Sequence, residues 1–216
     1  METLNMEQLT ATPTKAPNFF DTAVVKGDVP IEERDDVTVD ELERLWATLP
    51  FPAELYNGRV VYKMANYQHG KIQTNLIRLF GKYLDNHPIG DIVSETNFCL
   101  WSDRPKESRI PDVCFVANER MPKDESSFPD MAPDLAVEIV SPNDSFMKVM
   151  EKVDEYLQQG TKIVWLVFAS TREVLVCTAE EKRSVRGILT VPGVLPGFEL
   201  PVQEIFKGIK VKSKNE

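Results

Sequence analysis

Residues 132–144 read Ala-Pro-Asp-Leu-Ala-Val-Glu-Ile-Val-Ser-Pro-Asn-Asp, and this stretch decides the fold class. Its middle, from Leu135 to Val140, is apolar apart from Glu138, which is typical of a central strand buried on both faces. The next four residues are turn and helix-cap types, and a helix is predicted from about residue 146 to residue 159. Gly160 ends that helix, and residues 163–168 form a second apolar strand. This order predicts an α/β fold with a mixed central sheet.

The flanking sequence supplies the remaining elements of the predicted domain. A capping box at Thr38 and Glu41 predicts a short helix, and the Asn57-Gly58 turn predicts a hairpin over residues 54–62. An apolar stripe at helical spacing predicts a helix of about 16 residues after the hairpin. Further strands are predicted at 92–101, 110–116, 173–178 and 185–191, the last two forming a hairpin at the sheet edge. The sequence therefore predicts helices flanking a mixed sheet, with an N-terminal helix and hairpin extension.

The charge of the chain is unevenly distributed. Of its 34 acidic and 25 basic residues, residues 1–43 hold 11 and 3, which leaves a nearly neutral remainder of 23 and 22. A neutral body argues against a strong overall field that would attract nucleic acid. We interpret residues 1–36 as a poorly ordered acidic leader, 37–206 as one folded domain and 207–216 as a basic tail.

The cellular location is predicted from the hydrophobic runs, the N-terminal residues and the cysteines of the chain. No apolar run approaches the roughly 20 residues of a membrane span, so no membrane association is expected. The N-terminus lacks a basic start followed by an apolar core, so we predict no signal peptide. Three widely spaced cysteines, an odd number in strand-like runs, indicate buried reduced thiols. These features predict a cytoplasmic protein.

Two carboxylates and a lysine form the candidate site. Asp112 and Glu138 lie in apolar strand-like runs, where an ionised carboxylate is unfavourable unless it is paired or binds a metal. If the two strands are neighbours, both carboxylates can reach one Mg²⁺ or Mn²⁺ ion, with the backbone carbonyl of Ile139 and water completing its coordination. Lys152 lies on the following helix, where it would orient the attacking water or stabilise the transition state of phosphodiester hydrolysis.

Each of these residues also has an ordinary interpretation. An acid at a strand end is commonly a hydrogen-bonding partner, and a lysine on a helix is commonly solvated. The three together, in this order, favour a metal site. Other polar residues are predicted to contact the substrate, and each has a structural alternative as a cap, a loop residue or a helix-surface residue: Glu54, His69, Arg109, Lys148 and Tyr156.

Four segments of the chain resemble one known family. Arg-Ile-Pro-Asp-Val at 109–113, residues 132–144, Lys-Val-Asp-Glu-Tyr at 152–156 and Val-Trp-Leu-Val at 164–167 are similar to the Uma-type restriction endonucleases. That family belongs to the PD-(D/E)XK nuclease superfamily, and the resemblance covers roughly residues 38–206. It implies a restriction-endonuclease-like core, with Asp112 and Glu138 as metal ligands. It also implies that Lys152 has replaced the motif lysine, because Val140 occupies the usual lysine position.

The sequence thus predicts a Mg²⁺- or Mn²⁺-dependent endonuclease that hydrolyses DNA phosphodiester bonds. The resemblance also suggests a homodimer, since double-strand cutters of this superfamily are often dimers. Two alternatives remain. The chain could be a non-catalytic binding or regulatory module that kept the nuclease fold, or a Mg²⁺-dependent phosphohydrolase acting on a small nucleotide.

Overall fold

A six-stranded mixed β-sheet forms the centre of the protein. The computed structural model describes residues 25–26 and 29–210, and the sheet order is β10-β9-β8-β7-β6-β5. Its strands are β5 (Gly90–Val93), β6 (Val113–Ala117), β7 (Leu135–Val140), β8 (Ile163–Phe168), β9 (Glu173–Cys177) and β10 (Lys182–Val185). Strands β7 and β8 are parallel, whereas the other neighbours are antiparallel. The predicted α/β class with a mixed sheet is therefore confirmed.

Two helices cover opposite faces of this sheet. Helix α2 (Tyr67–Leu84) buries Ile72, Leu76 and Phe80 against one face, and helix α3 (Phe146–Gln158) buries Val153 and Tyr156 against the other. Because side chains alternate along a strand, β7 contributes to both cores: Val137 faces α2, whereas Ala136 faces α3. Each fully buried large apolar side chain contributes about 1.5–3 kcal/mol, so β7 is covered favourably on both faces.

Smaller elements complete the described fold. The α2 side also carries an antiparallel pair and a short C-terminal helix, and a third apolar cluster lies between the first helix and the hairpin. Their bounds are β1 (Val25–Lys26), β2 (Val29–Pro30), α1 (Val39–Leu45), β3 (Ala53–Tyr56), β4 (Arg59–Tyr62), β11 (Ile188–Val191), β12 (Leu195–Pro201) and α4 (Val202–Ile205).

The hairpin β3–β4 is closed by the predicted Asn57-Gly58 turn. Both residues have positive φ, 51° and 76°, as a type I′ turn requires. A side chain at Gly58 would also collide with the carbonyl oxygen of Asp35. The two-residue loop fixes the register, pairing Glu54 with Val61. The turn sequence therefore determines which residues of the hairpin share a face.

Two predicted strands are wrong in extent. The strand predicted at 92–101 ends at Val93, because Glu95 adopts a left-handed backbone conformation with φ of 53° that breaks the ladder. The alternation beyond it reflects burial of Phe98 and Leu100 in irregular backbone. The segment predicted at 185–191 divides between two sheets: β10 pairs with β9, whereas β11 pairs with β12.

The predicted boundaries of the domain also need correction. Residues 29–36 were expected to belong to the leader, but Ile31 is fully buried and Arg34 binds Glu41. At the other end, residues 207–210 were expected in the tail, but Ile209 is buried and Lys71 donates to the carbonyl of Gly208. The predictions for residues 1–24, 27–28 and 211–216 lie outside the described residues. In the described part of the chain, no helix has the length and apolar character needed to cross a membrane.

Candidate active site

Asp112 and Glu138 lie side by side at one end of the central sheet. Val113 pairs with Val137 in the antiparallel register of β6 and β7, so the next step places Asp112 opposite Glu138. The N–H of Asp112 donates to the carbonyl of Val137 over 3.0 Å, which holds Asp112 against β7 just before β6 begins. In return, the N–H of Ile139 donates to Oδ2 of Asp112 over 2.6 Å, leaving Oδ1 for other partners. Both carboxylates are at least nine-tenths buried.

Lys63 places its ammonium between these two carboxylates. Its Nζ lies 3.1 Å from Oδ1 of Asp112 and 3.3 Å from Oε2 of Glu138. Burial alone would lower the pKa of Lys63, but the charges of Glu138, Asp112 and Glu54 raise it well above its usual value. The two carboxylates therefore converge on a single cation position, which the Lys63 ammonium fills.

Lys152 reaches the same site from helix α3. Its Nζ lies 2.6 Å from Oε1 of Glu54 and 4.0 Å from Oε1 of Glu138. Glu54 also accepts the N–H of Ile110 over 3.1 Å, which fixes its carboxylate against the strand end. Burial by itself would raise the pKa of Glu54, but the charges of Lys152 and Lys63 hold it below its usual value. The hairpin, the sheet and helix α3 thus together form one cluster in which the carboxylates contact the ammonium groups of Lys63 and Lys152.

His69 and Gln73 hold Asp112 from helix α2. Nε2 of His69 lies 3.3 Å from Oδ1 of Asp112, and the amide of Gln73 donates to the Asp112 carbonyl over 2.8 Å. Burial opposes ionisation of Asp112, but the charge of Lys63 and the contact with His69 lower its pKa to about 2. Burial also opposes protonation of His69, yet the contact with Asp112 raises the pKa of the imidazole overall.

The pKa of Glu138 shifts upward, opposite to that of Asp112. Burial raises the pKa of this carboxyl group, and the neighbouring charges of Asp112 and Glu54 act in the same direction, against Lys152 and Lys63. Tyr156 donates its hydroxyl to Oε1 of Glu138 over 3.1 Å. The pKa values of two adjacent carboxyl groups are therefore driven apart, a pattern found at functional sites as well as in structural ion-pair networks.

An open cavity of about 310 Å³ lies over this cluster. Its wall includes the three carboxylates, the two lysines and His69, and also Glu95, Lys148 and the backbone segment after β7. In the described part of the chain, no three His, Cys, Asp or Glu side chains are grouped as a ready metal cage. Mg²⁺ nonetheless fits the donor set, because it takes oxygen ligands, needs only one or two carboxylates and keeps several waters.

The predicted site residues separate into two groups. The cavity brings together Asp112, Glu138, Ile139 and Lys152 with Glu54, His69 and Lys148, and their roles stay predictions. Arg109 and Tyr156, predicted to contact the substrate, do not line it. Arg109 is 1% exposed and forms a bidentate pair with Glu155, and Tyr156 is fully buried behind Glu138. We therefore correct both assignments: these residues support the site from within.

Sequence reasoning missed Lys63. The signal was present, because the Asn57-Gly58 turn fixes the hairpin register. That register pairs Glu54 with Val61, and side chains two residues apart on a strand share a face. Lys63 therefore had to lie on the same side as Glu54. Gln73 could not have been found in this way, since its role depends on how α2 approaches the loop before β6.

Comparison with known proteins identifies the family. Residues 39–203 match the Uma2 family, described as "Putative restriction endonuclease", and the chain belongs to this family. A crystal structure described as "a putative nuclease belonging to DUF820 from Anabaena variabilis ATCC 29413" is similar in fold. Its TM-score is 0.66 at 23% identity, covering 79% of this chain and 98% of that one. No curated protein matches the chain. The predicted family and nuclease-like fold are confirmed.

Proposed function

We propose that this protein is a Mg²⁺- or Mn²⁺-dependent endonuclease that hydrolyses DNA phosphodiester bonds. One observation carries the proposal: Asp112 and Glu138, opposite each other across two paired strands, converge on a single cation position beside Lys152. Membership in a family described as restriction endonucleases supports a nucleic-acid substrate.

Each residue of the cluster has a specific part in the proposed reaction. Asp112 and Glu138 would hold the divalent ion, together with the Ile139 carbonyl. When bound, Mg²⁺ supplies a Lewis acid at the phosphate. The Lys152 ammonium would donate to the attacking water or to a phosphate oxygen, and Glu54 keeps that ammonium in place through its 2.6 Å contact. Lys148, exposed at the cavity wall, would contact the substrate phosphates.

A cleavage assay tests the proposal directly. Supercoiled plasmid is incubated with Mg²⁺ or Mn²⁺ and with wild type, Asp112→Asn or Lys152→Met. We expect cutting by wild type and a loss of at least about 100-fold in the variants, the size of effect that removing one group from a catalytic site commonly has. The control is Lys182→Met, because that exposed lysine pairs with exposed Asp154 on the surface, away from the residues that line the cavity. Cutting that survives both Asp112→Asn and Lys152→Met would contradict the proposal.

One observation favours a second function, a non-catalytic binding module. The ammonium of Lys63 already neutralises both proposed ligands, as expected of a nuclease site converted to a structural ion-pair cluster. Calorimetry with Mn²⁺ separates the two functions. Binding that is lost in Asp112→Asn supports the nuclease, whereas no binding by wild type together with intact DNA binding supports the module.

A further inference from the structure

The most exposed large apolar side chains of the described residues lie in the two chain segments that contribute to the cavity wall. They are Tyr67 (87% exposed), Met64 (76%), Met147 (70%) and Phe146 (56%), and we call them the apolar rim. Two belong to the connection from β4 into α2, and two open helix α3. Met64 itself lines the cavity, as do Ala65 on one side and Ser145 and Lys148 on the other. Met64 thus belongs to the cavity wall, and Tyr67, Phe146 and Met147 lie within two residues of lining residues along the chain.

This placement is unusual for such side chains. Single exposed apolar residues are common, but a group beside one cavity indicates a contact surface. Helix α3 begins with Phe146 and Met147, has no acidic residue in its first turn and receives no side-chain cap from Ser145. The first turn of α3 thus begins with an aromatic ring and a thioether, where acidic side chains would interact favourably with the helix dipole.

The charges beside the rim select the kind of partner. Lys63, Lys148 and Lys152 lie in the cavity wall together with five carboxylates. Lys63 and Lys152 pair with three of these carboxylates, so the exposed Lys148 is the lysine that a phosphate can contact. The body of the chain is almost neutral, with 23 acids and 22 bases after residue 43, so it lacks the excess of positive charge expected of a protein that binds along a duplex. Aromatic rings beside a few cations are instead the means by which proteins hold unpaired bases.

From these observations we infer that the substrate strand is single-stranded at the site, with unpaired bases stacked on Tyr67 and Phe146 on either side of the phosphate to be cut. This inference rests on the proposed function and names its substrate class. A cavity of about 310 Å³ has the size of a small-molecule pocket, which suits one or two nucleotides of a single strand. Met64 and Met147 would widen the apolar contact beside the rings.

Fluorescence anisotropy with labelled DNA tests the inference. The probes are a 12-nucleotide single strand and the duplex of the same sequence, in Ca²⁺ buffer, with DNA integrity checked on a gel. Wild type is expected to bind the single strand about tenfold or more tightly than the duplex. The double change Tyr67→Ala and Phe146→Ala should weaken single-strand binding by about tenfold or more, because stacking dominates such contacts.

Two matched variants make the test specific. Tyr67→Phe with Phe146→Tyr keeps both rings and should retain the binding. Ile188→Ala removes an apolar side chain of similar exposure, 51%, from β11, outside the rim, and should leave binding unchanged. Melting temperatures of all variants are measured in parallel, so that loss of binding by an unfolded protein is recognised.

Several results would overturn the inference. They are tighter binding of duplex, no binding of either probe by wild type, and single-strand binding that the double alanine variant retains. If the double alanine variant has a lower molar mass than wild type by light scattering but binds DNA equally well, the rim joins two copies of the chain. The plasmid assay decides the proposed function separately. The same cleavage assay is repeated with linear duplex and with single strand as substrates, and equally rapid cutting of the two would overturn this inference alone.

Discussion

Lys63 competes for the place that the proposed metal ion would take. Its ammonium lies within 3.3 Å of both carboxylates, and two cations cannot share that space without strong repulsion. We predict that Lys63→Met binds Mn²⁺ about tenfold or more tightly, measured by calorimetry. In EDTA the variant should unfold at a lower temperature than wild type, because Asp112 and Glu138 lose their shared partner. Breaking such a buried pair costs about 3 kcal/mol.

The stability measurement supplies the control for this prediction. Added Mn²⁺ should raise the melting temperature of Lys63→Met more than that of wild type, since a ligand stabilises the folded state by RT ln(1 + [L]/Kd), which grows as Kd falls. Lys182→Met, which changes an exposed pair, should behave like wild type in both measurements. Unchanged Mn²⁺ affinity in Lys63→Met would show that the ammonium and the metal do not compete.

Arg109 illustrates a residue whose charge serves the fold. Its guanidinium donates to both oxygens of Glu155 at 2.6 and 2.8 Å and to the Leu55 carbonyl at 2.6 Å, joining α3 to the hairpin. Arg109→Lys keeps the charge but loses the forked geometry, so we predict a loss of about 2 kcal/mol of unfolding free energy, measured by urea denaturation. Arg59→Lys, at a 71% exposed side chain, is the matched control with no measurable loss. Weaker DNA binding by Arg109→Lys at unchanged stability would return Arg109 to the substrate contacts.

At the scale of elements, the hairpin β3–β4 positions Glu54 and Lys63 at the site. Its two-residue turn is where we expect a substitution to disturb the hairpin most. Gly58→Ala would introduce a side chain at positive φ that also meets the Asp35 carbonyl. We predict a loss of about 1–3 kcal/mol of stability, measured by urea denaturation, together with weaker Mn²⁺ binding because the hairpin shifts. Gly187→Ala, where an added Cβ meets nothing within 4 Å, should be neutral. Equal stability of the two variants would contradict this account.

The elements also show what sequence patterns can and cannot predict. Strands β7 and β8 have the predicted bounds, because a continuous apolar run between turn residues leaves few alternatives. The strand predicted at 92–101 failed because burial and pairing are different properties: Phe98 is buried, but its backbone meets Arg109 in an isolated bridge. Periodicity reports burial, and only the three-dimensional course of residues 94–101 decides pairing.

The candidate site was predictable to a similar degree. Spacing and residue type predicted that Asp112, Glu138 and Lys152 share one site, and in the structure all three line one cavity. The exclusion of Arg109 and Tyr156 was not predictable. Both are as deeply buried as Asp112, and they differ from the site residues in not reaching the cavity wall. Which buried side chains reach that wall depends on how α3 and the hairpin close over the sheet, and no local pattern encodes this.

At the scale of the whole molecule, Asp134 joins the central strands at the end of the sheet remote from the site. Its carboxylate accepts the Ala117 N–H and pairs with Arg120 and Lys162. Burial alone would raise the pKa of Asp134, but these hydrogen bonds and charges hold it below its usual value. A carboxyl group with a depressed pKa stabilises the fold above its unfolded pKa near 4, and that stability is lost as the pH falls through the folded pKa.

Asp134→Asn tests this contribution. At pH 7 we predict a loss of about 1–2 kcal/mol, because the hydrogen bonds from Arg120 and Lys162 lose their charged acceptor while both cations remain partly exposed to water. The melting temperature should then fall less steeply in the variant than in wild type below about pH 4, where Asp134 of the unfolded wild-type chain begins to take up a proton. Asp154→Asn, at a carboxylate that is 53% exposed, is the control. Parallel pH profiles for wild type and Asp134→Asn would contradict the assignment.

Because β6 and β7 are antiparallel, the candidate site and the loop that joins these two strands lie at opposite ends of the sheet. Asp112 precedes β6 and Glu138 lies near the end of β7, so the loop between these strands leaves from the far end of the sheet. Residues 123–127 of that loop are exposed. A fluorescent or affinity tag grafted there would report on this protein in a cell, while the pocket kept its shape.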